Sequence, residues 1–486
     1  MKKLISSALV LSVLLSATVS CGGEDGTANE AGGNIVSDTA ESENGAAAVN
    51  ETAAETEADP YAGIDMGGIE FRVIQTEGVE YGTPQFDFES LSGDSVQDAI
   101  YTRNRTMEEK LNFRLTVTEN KDYANVVQKS VRAGEDAYDA VMNTSDLTAS
   151  WIASGILYNM LDIPTISFDS PWWDTEFNNG LILNKKYLYQ MSGSISPGVL
   201  IRSVALAFRT GTVKDNGLPL PYDTVREGRW TYDEMDRYAR TCQNLNGESS
   251  YGTSGRSFWG YATFGGWISV AAIAAGQIVK LDENGTPYFA GADEALVNAY
   301  ERMQQSFSGD GMTSNGGGDY ASDYIAFYKD NRALFMVSAI GNMIYLRDMD
   351  AEYGILPMPK FTEDGQYLNS LGSSFILGVP ATNGKIDKTG TILDCLGRYG
   401  MDNVIPVYYD SLCYRGMRDN DSIEMLNIIN AGLVSDLGRF YGWTVQFLDG
   451  IGDKLIKGKL NVVSEMEKNA SRIQKSIDKT MAELNG

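Results

Sequence analysis

The chemistry open to this 486-residue chain is bounded first by an absence, because it contains no histidine. Serine–histidine and cysteine–histidine nucleophiles, imidazole proton transfer and histidine-ligated zinc are removed together. Any catalysis would rest on carboxylates, lysine, tyrosine or serine, and the 65 Asp and Glu residues form no constellation that stands out. What the sequence does offer is flat apolar surface beside polar acceptors: seven Trp, with Asp, Asn and Ser in turns between predicted elements. That combination suits a neutral polyol. Its C–H faces stack on aromatic rings, and its hydroxyls, once stripped of water, need carboxylates, amides or hydroxyls as partners. A charge-assisted bond of this kind contributes about 1.5–3 kcal/mol net, so several placed aromatics and carboxylates suffice for micromolar binding.

The elements that must position such groups call for more than one core. A chain of this length with 43% hydrophobic residues predicts two lobes of about 150–250 residues each. The formal charge of −26 argues against nucleic acid and any other anionic polymer, since a phosphate binder needs clustered Lys and Arg. Cys242, Cys395 and Cys413 cannot all pair with one another and imply no disulfide framework; they read as buried apolar residues.

The N-terminus has the pattern of a secretory signal over residues 1–20: Lys2 and Lys3, a short Ser-interrupted apolar run, then small residues up to Cys21. From Gly22 to Pro60 there is no Lys or Arg and almost no large apolar side chain. Such a segment does not bury enough surface to fold, so residues 21–65 read as a disordered acidic tether spanning roughly 35 Å by the square-root rule.

Ordered sequence begins with IEFRVIQT near Ile69. A helix from Asp94, the strand FRLTVTE, a helix over 121–132 and the strand YDAVMNT follow. This alternation predicts an α/β lobe with a mainly parallel sheet, whose ligand site lies beyond the strand C-termini. Asp146 falls just past the end of YDAVMNT, which makes it a candidate ligand acid or, equally, a helix cap. Trp172 and Trp173 are adjacent, so at most one faces a cleft, and Trp173 is taken as the candidate. VALAFR (204–209) is a mostly apolar crossing strand, and GRWTYDEM opens a helix, with Thr231 and Glu234 at capping-box spacing and Trp230 stapled to Met235. In the second lobe Trp267 follows the strand-to-helix turn FGG and is the best-placed stacking platform. The Asn284–Gly285 turn signals a hairpin. ALFMVSA is a strand, GNMIYLRDM a helix, and Asp421 to Glu424 a further capping box. The tail places Val463, Met466, Ile473, Ile477, Met481 and Leu484 on one helical face that packs on the second lobe.

Taken together, YDAVMNT with its following helix, PWWD, ALAFRT followed by GRWTYDE, ALFMVSAIGNM, YGILPMPKF and RDNDSIEMLNII resemble the family-1 extracellular solute-binding lipoproteins, the maltose-binding-protein-like receptors of ABC importers. The resemblance spans roughly residues 69–486. It implies a two-lobed periplasmic-binding-protein-like fold, with 66–203 and 370–420 in lobe 1, 204–369 and 421–486 in lobe 2, and crossing segments between them. It also implies a monomeric receptor without cofactor or metal that captures a small molecule, most often a mono- or oligosaccharide, for the membrane subunits of an importer. Cys21 followed by Gly22 and Gly23 is similar to the family's lipoprotein junction, which would anchor the chain on the outer face of the cell membrane. On the same grounds Asp146 sits where the family puts a ligand-facing acid, Asn342 lies in a cleft-facing loop, and Tyr441 and Trp443 occupy a region of late aromatics. A membrane-tethered glycoside hydrolase using two carboxylates, or a same-fold receptor for a peptide or polyamine, are the competing expectations.

Overall fold

The computed structural model describes residues 59–77, 85–196, 201–291, 293–318, 321–346, 349–372, 374–411 and 420–485. The signal segment, Cys21, the tether up to residue 58 and Cys413 lie outside these. Within 59–65, expected as the end of the tether, Tyr61 is buried, and Lys110 pairs with Asp59 and lies over the Tyr61 ring. No helix among the described residues is long and apolar enough to cross a membrane.

Two five-stranded sheets organise the chain from residue 59 onward. Strands β1 (Ile69–Gln75), β2 (Phe113–Glu119), β3 (Ala140–Thr144) and β4 (Gln190–Met191) belong to the first. Strands β5 (Val204–Arg209) and β6 (Trp259–Ala262) begin the second. A hairpin of β7 (Val279–Leu281) and β8 (Pro287–Phe289) turns at Gly285, whose φ of +81° is the left-handed conformation that glycine adopts freely. β9 (Thr313–Ser314), β10 (Ala333–Ala339) and β11 (Tyr353–Leu356) complete the second sheet. Last come β12 (Asn369–Ser370), β13 (Phe375–Gly378) and β14 (Leu433–Val434).

The first sheet has the order β2-β1-β3-β13-β4 and the second β11-β5-β10-β6-β9. Both are mixed, with four of the five strands running the same way. In each, a single strand runs against its neighbours: β13 against β3 and β4, and β5 against β10 and β11. These are the two strands that begin as the chain enters a sheet from the other one. A strand arriving at the edge where parallel strands end has to run back the opposite way. Every side chain of VALAFR is buried, as the apolar run requires of a strand inside a sheet. Its closing Arg209 is held by cation–π contact with Tyr328, 4.7 Å to the ring centroid, and by the Tyr328 carbonyl.

Three segments cross between the sheets, and backbone hydrogen bonds join them. Ser203 bridges Leu371, Gly372 N donates to the Arg202 carbonyl at 2.9 Å, and β12 pairs in parallel with β14. Beyond β14 the chain contacts both halves. Helix Val445–Ile456 packs on Gly265–Ala272 so closely that a Cβ on Gly452 would lie 2.3 Å from the Gly265 carbonyl carbon. The same tail reaches the first half through Ala149 N to the Tyr441 carbonyl (3.3 Å), Tyr441 Oη to the Leu181 carbonyl (2.5 Å) and Tyr187 Oη to the Leu484 carbonyl (3.1 Å).

Several local expectations shift. The segment from Ile340 to Leu346 is a 3-10 helix rather than an α-helix, and Asp421 lies inside the first turn of Asn420–Ala431 rather than capping it. In the last helix, Val462–Asn485, Val462 is buried and Val463 is 44% exposed, so the apolar stripe starts one residue earlier than its spacing predicts. At GRWTYDEM one arm of the capping box forms: Glu234 N donates to Thr231 Oγ1 at 3.4 Å, while the Glu234 carboxylate binds Arg237 instead of returning to the cap. Trp230 is fully buried against Tyr238 and Phe335, with Nε1 donating to the Pro357 carbonyl. Replacing Thr231 with Ala therefore lowers stability by about 1 kcal/mol. Urea unfolding would show this as a lower midpoint at unchanged slope.

Candidate ligand-binding site

Strand direction places the loops that could meet a ligand. β3, β6 and β10 end at the edge where β5 and β13 begin, so the residues after the first three and before the last two are brought to one region. After β3 stands Asp146, in the 3-10 turn Ser145–Leu147. After β6 come Phe264 and helix Gly265–Ala272, and after β10 comes Asn342. Arg202 precedes β5, and Gly372 precedes β13.

The second-sheet side is aromatic. Trp267 meets Phe264 edge-on at 5.9 Å between centroids and donates Nε1–H to Tyr324 Oη at 3.0 Å. Tyr324 Oη is 2.7 Å from Ser338 Oγ, and Asn342 Nδ2 donates to both, at 2.9 Å to Ser338 and 3.3 Å to Tyr324. This network fixes the Trp267 ring and the Asn342 amide, yet it leaves Asn342 Oδ1 buried with no hydrogen-bond partner. Phe264 is 36% exposed and covers Tyr324 at 5.9 Å, which makes it the open face of the cluster. Gly372 is required beside it, since a Cβ there would sit 2.7 Å from the indole.

Charge surrounds this surface. The Arg202 guanidinium lies over the Trp267 ring at 5.3 Å, and burial pushes its pKa down to about 10. The nearby Asp146 charge opposes that fall, and Arg439 adds to it. Asp146 Oδ1 is enclosed without a hydrogen-bond partner, as are Arg439 Nε and Nη1. Arg439 Nη1 reaches Asp449 only at 3.7 Å. Burial raises the Asp449 carboxyl above the usual range, Arg439 counteracts this, and Asp146 reinforces it. Two cations and two anions thus stand beside an aromatic cluster, with acceptors on Asp146 and Asn342 and donors on Arg439 unmatched. Enclosed polar groups in folded proteins are otherwise nearly always paired, so the arrangement is chemically suited to a molecule that brings several hydroxyls.

Of the residues singled out from sequence, the structure brings Asp146, Trp267 and Asn342 together. Trp173 is packed in the first half at 2% exposure, its Nε1–H donating to Asp394 at 2.9 Å and its ring pressed on Gly193. Tyr441 and Trp443 are also almost fully buried, stacked on each other at 4.8 Å with polar ends bound to the Leu181 carbonyl and Thr480. Each of the three fills core volume, and Trp267 itself is only 7% exposed, so Phe264 supplies the open ring of the cluster. Sequence reading missed Arg202, Phe264, Tyr324 and Arg439. Arg202 was findable as the charge immediately ahead of an apolar crossing strand, and Phe264 as the aromatic of the FGG turn.

The same architecture occurs in solved structures. The ABC substrate-binding protein Lmo0181 from Listeria monocytogenes, in complex with cycloalternan, superimposes with a TM-score of 0.57 at 13% identity, over 85% of this chain and 99% of that one. The chain has the periplasmic-binding-protein fold. Two further proteins with that fold match: the galacto-N-biose-/lacto-N-biose I-binding protein of the ABC transporter from Bifidobacterium longum, with lacto-N-biose (TM-score 0.58, 11% identity, 87% and 99% coverage), and the maltose-maltodextrin binding protein of Alicyclobacillus acidocaldarius (0.52, 11%, 83% and 100%). No family model matches the sequence, and no curated protein does. The periplasmic-binding-protein fold accounts for the paired mixed sheets and the hydrogen-bonded crossings.

A pH signature follows from Asp436, which precedes helix Leu437–Phe440 and is almost fully buried. Its carboxylate accepts from Arg439 N at 2.7 Å and Ile278 N at 3.2 Å, but burial outweighs these bonds and pushes its pKa up to about 6. A carboxyl titrating higher in the folded than in the unfolded chain binds its proton more tightly when folded, so its contribution to stability falls as pH rises from about 4 to about 6. Asp436→Asn should remove that fall. Denaturation midpoints of parent and variant measured across pH 4–7 would show parallel curves if Asp436 does not titrate in this window.

Proposed function

We propose that this chain is the solute receptor of an ABC importer and captures a carbohydrate between its two lobes. The observation carrying this reading is the cluster of Phe264, Trp267 and Tyr324 set against the unmatched polar atoms of Asp146, Asn342 and Arg439. An aromatic platform edged by unmatched hydrogen-bonding groups is what a polyol requires. The solved proteins of the same fold include complexes with cycloalternan, lacto-N-biose and D-mannitol, which supports the same class of ligand.

In this reading the ligand stabilises the arrangement in which both lobes touch it, by its differential affinity for that state, and the importer recognises the closed receptor. Cys21 would carry the lipid anchor and the acidic segment after it would act as a spacer, repelled by an anionic cell surface. The site binds without turnover, and the chain works as a monomer outside the cytoplasm.

Calorimetric titration against a panel of mono- and oligosaccharides is expected to give saturable binding with no new reducing ends. Phe264→Ala, which removes a partly exposed ring, should weaken that binding by about tenfold, the size of one aromatic contact. Flat heats across the whole panel would exclude the carbohydrate assignment, and released reducing ends would indicate a hydrolase.

A further inference from the structure

A second cavity lies on the other side of the crossing chain. In the first sheet, β13 separates β3, whose end leads to Asp146, from β4, whose end leads to Ser192 and Ser196. Beyond β4 a space of about 510 Å³ opens, within the range that encloses a small molecule. Its walls come from Asp174 to Phe177, from the loop after β4, from Ile405 and Tyr409, from Leu433 to Ser435 of the third crossing segment, and from Gln277 between helix Gly265–Ala272 and β7. It shares no lining residue with the Trp267 cluster.

The chemistry of its walls is one-sided. Asp174 and Glu176 supply carboxylates, Phe177 and Tyr409 supply rings, and among the described residues no Lys or Arg lines it. Ser192 Oγ donates to Asp174 Oδ2 at 2.6 Å. Asp174 makes no side-chain cap to the short helix behind it, so that carboxylate is not explained by a helix terminus. Asp174 and Glu176 are both solvent-exposed, so their carboxylates stand open to an occupant of the cavity. Ser196 Oγ is enclosed and has no partner.

We infer that this cavity is a binding site for a small organic cation, a protonated amine with an apolar body, separate from the site for the transported solute. The ammonium group would pair with Asp174 and Glu176, and its body would lie against Phe177 and Tyr409. An anion meets no counter-charge among the described residues, and a neutral molecule of the same shape forgoes the ion pair. Because Gln277, whose Nε2 donates to the Ser435 carbonyl at 3.1 Å, lies across the third crossing segment from Asp174, an occupant touches groups on both sides of it. Its affinity therefore depends on how the crossings are bent.

The test is independent of any sugar. The full-length protein would be screened by thermal shift against alkyl and aryl monoamines of increasing size, each beside the alcohol and the carboxylate of the same skeleton, and hits titrated by calorimetry. Amines, but not their alcohols or carboxylates, are expected to raise the midpoint. Asp174→Asn should weaken the best amine at least tenfold, and Ala431→Trp, which fills the cavity from its rim, should abolish its binding while both variants unfold near the parent midpoint without ligand. Failure of every amine, equal binding of the matched alcohols, or amine binding untouched by both variants would overturn the assignment. Loss of sugar binding alone would leave it standing and count only against the carbohydrate reading.

Discussion

Backbone hydrogen bonds among three crossing segments are the constraint on which the rest of this molecule depends. Ser203 with Leu371, Gly372 with Arg202, and β12 with β14 tie the halves into one narrow ribbon. A ribbon of paired backbone resists stretching and shear, so the halves are held in register. It also decides strand direction. The chain enters each sheet at the edge where parallel strands finish, which makes β5 and β13 the two reversed strands and gathers the loops after β3, β6 and β10 around the same line.

That gathering explains why the charges tolerate their setting. Arg202, Arg439, Asp146 and Asp449 are partly withdrawn from water, and an isolated ion there would cost several kcal/mol. Placed within reach of one another they offset much of this, and the Trp267 face contributes its quadrupole to Arg202. The compensation is incomplete, as the unmatched atoms of Asp146, Asn342 and Arg439 record. A site fully satisfied by its own side chains would gain little from a ligand, whereas these atoms would gain hydrogen bonds from the ligand proposed above.

Much of the architecture was legible before any coordinates. Strands and helices alternate as the apolar periodicity predicts, the GRWTYDEM helix starts at Thr231, and the hairpin turns at Asn284–Gly285. What stayed hidden is three-dimensional. Trp173, Tyr441, Trp443 and Trp267 look alike in sequence and all four are buried; only the three-dimensional packing sets Trp267 beside the exposed ring of Phe264 and under Arg202. Arg202 and Arg439 were overlooked because an arginine ordinarily reads as surface. Their meaning comes from which strand ends meet. Val463 shows the limit of helical spacing, since a one-residue phase error moves the stripe without changing its period.

The close approach of Gly265 and Gly452 has a mechanical consequence. With no side chain between them, the two helices touch backbone to backbone, and nothing as small as water fits as a substitute. The tail is held to the first half as well: a Cβ on Gly442 would lie 2.0 Å from the Asp146 carbonyl oxygen, Phe440 meets Phe177 edge-on at 5.7 Å, and Ala149, Tyr441 and Tyr187 supply hydrogen bonds. The tail therefore clamps both halves, and amides at either glycine contact would exchange with solvent deuterium only when that clamp opens.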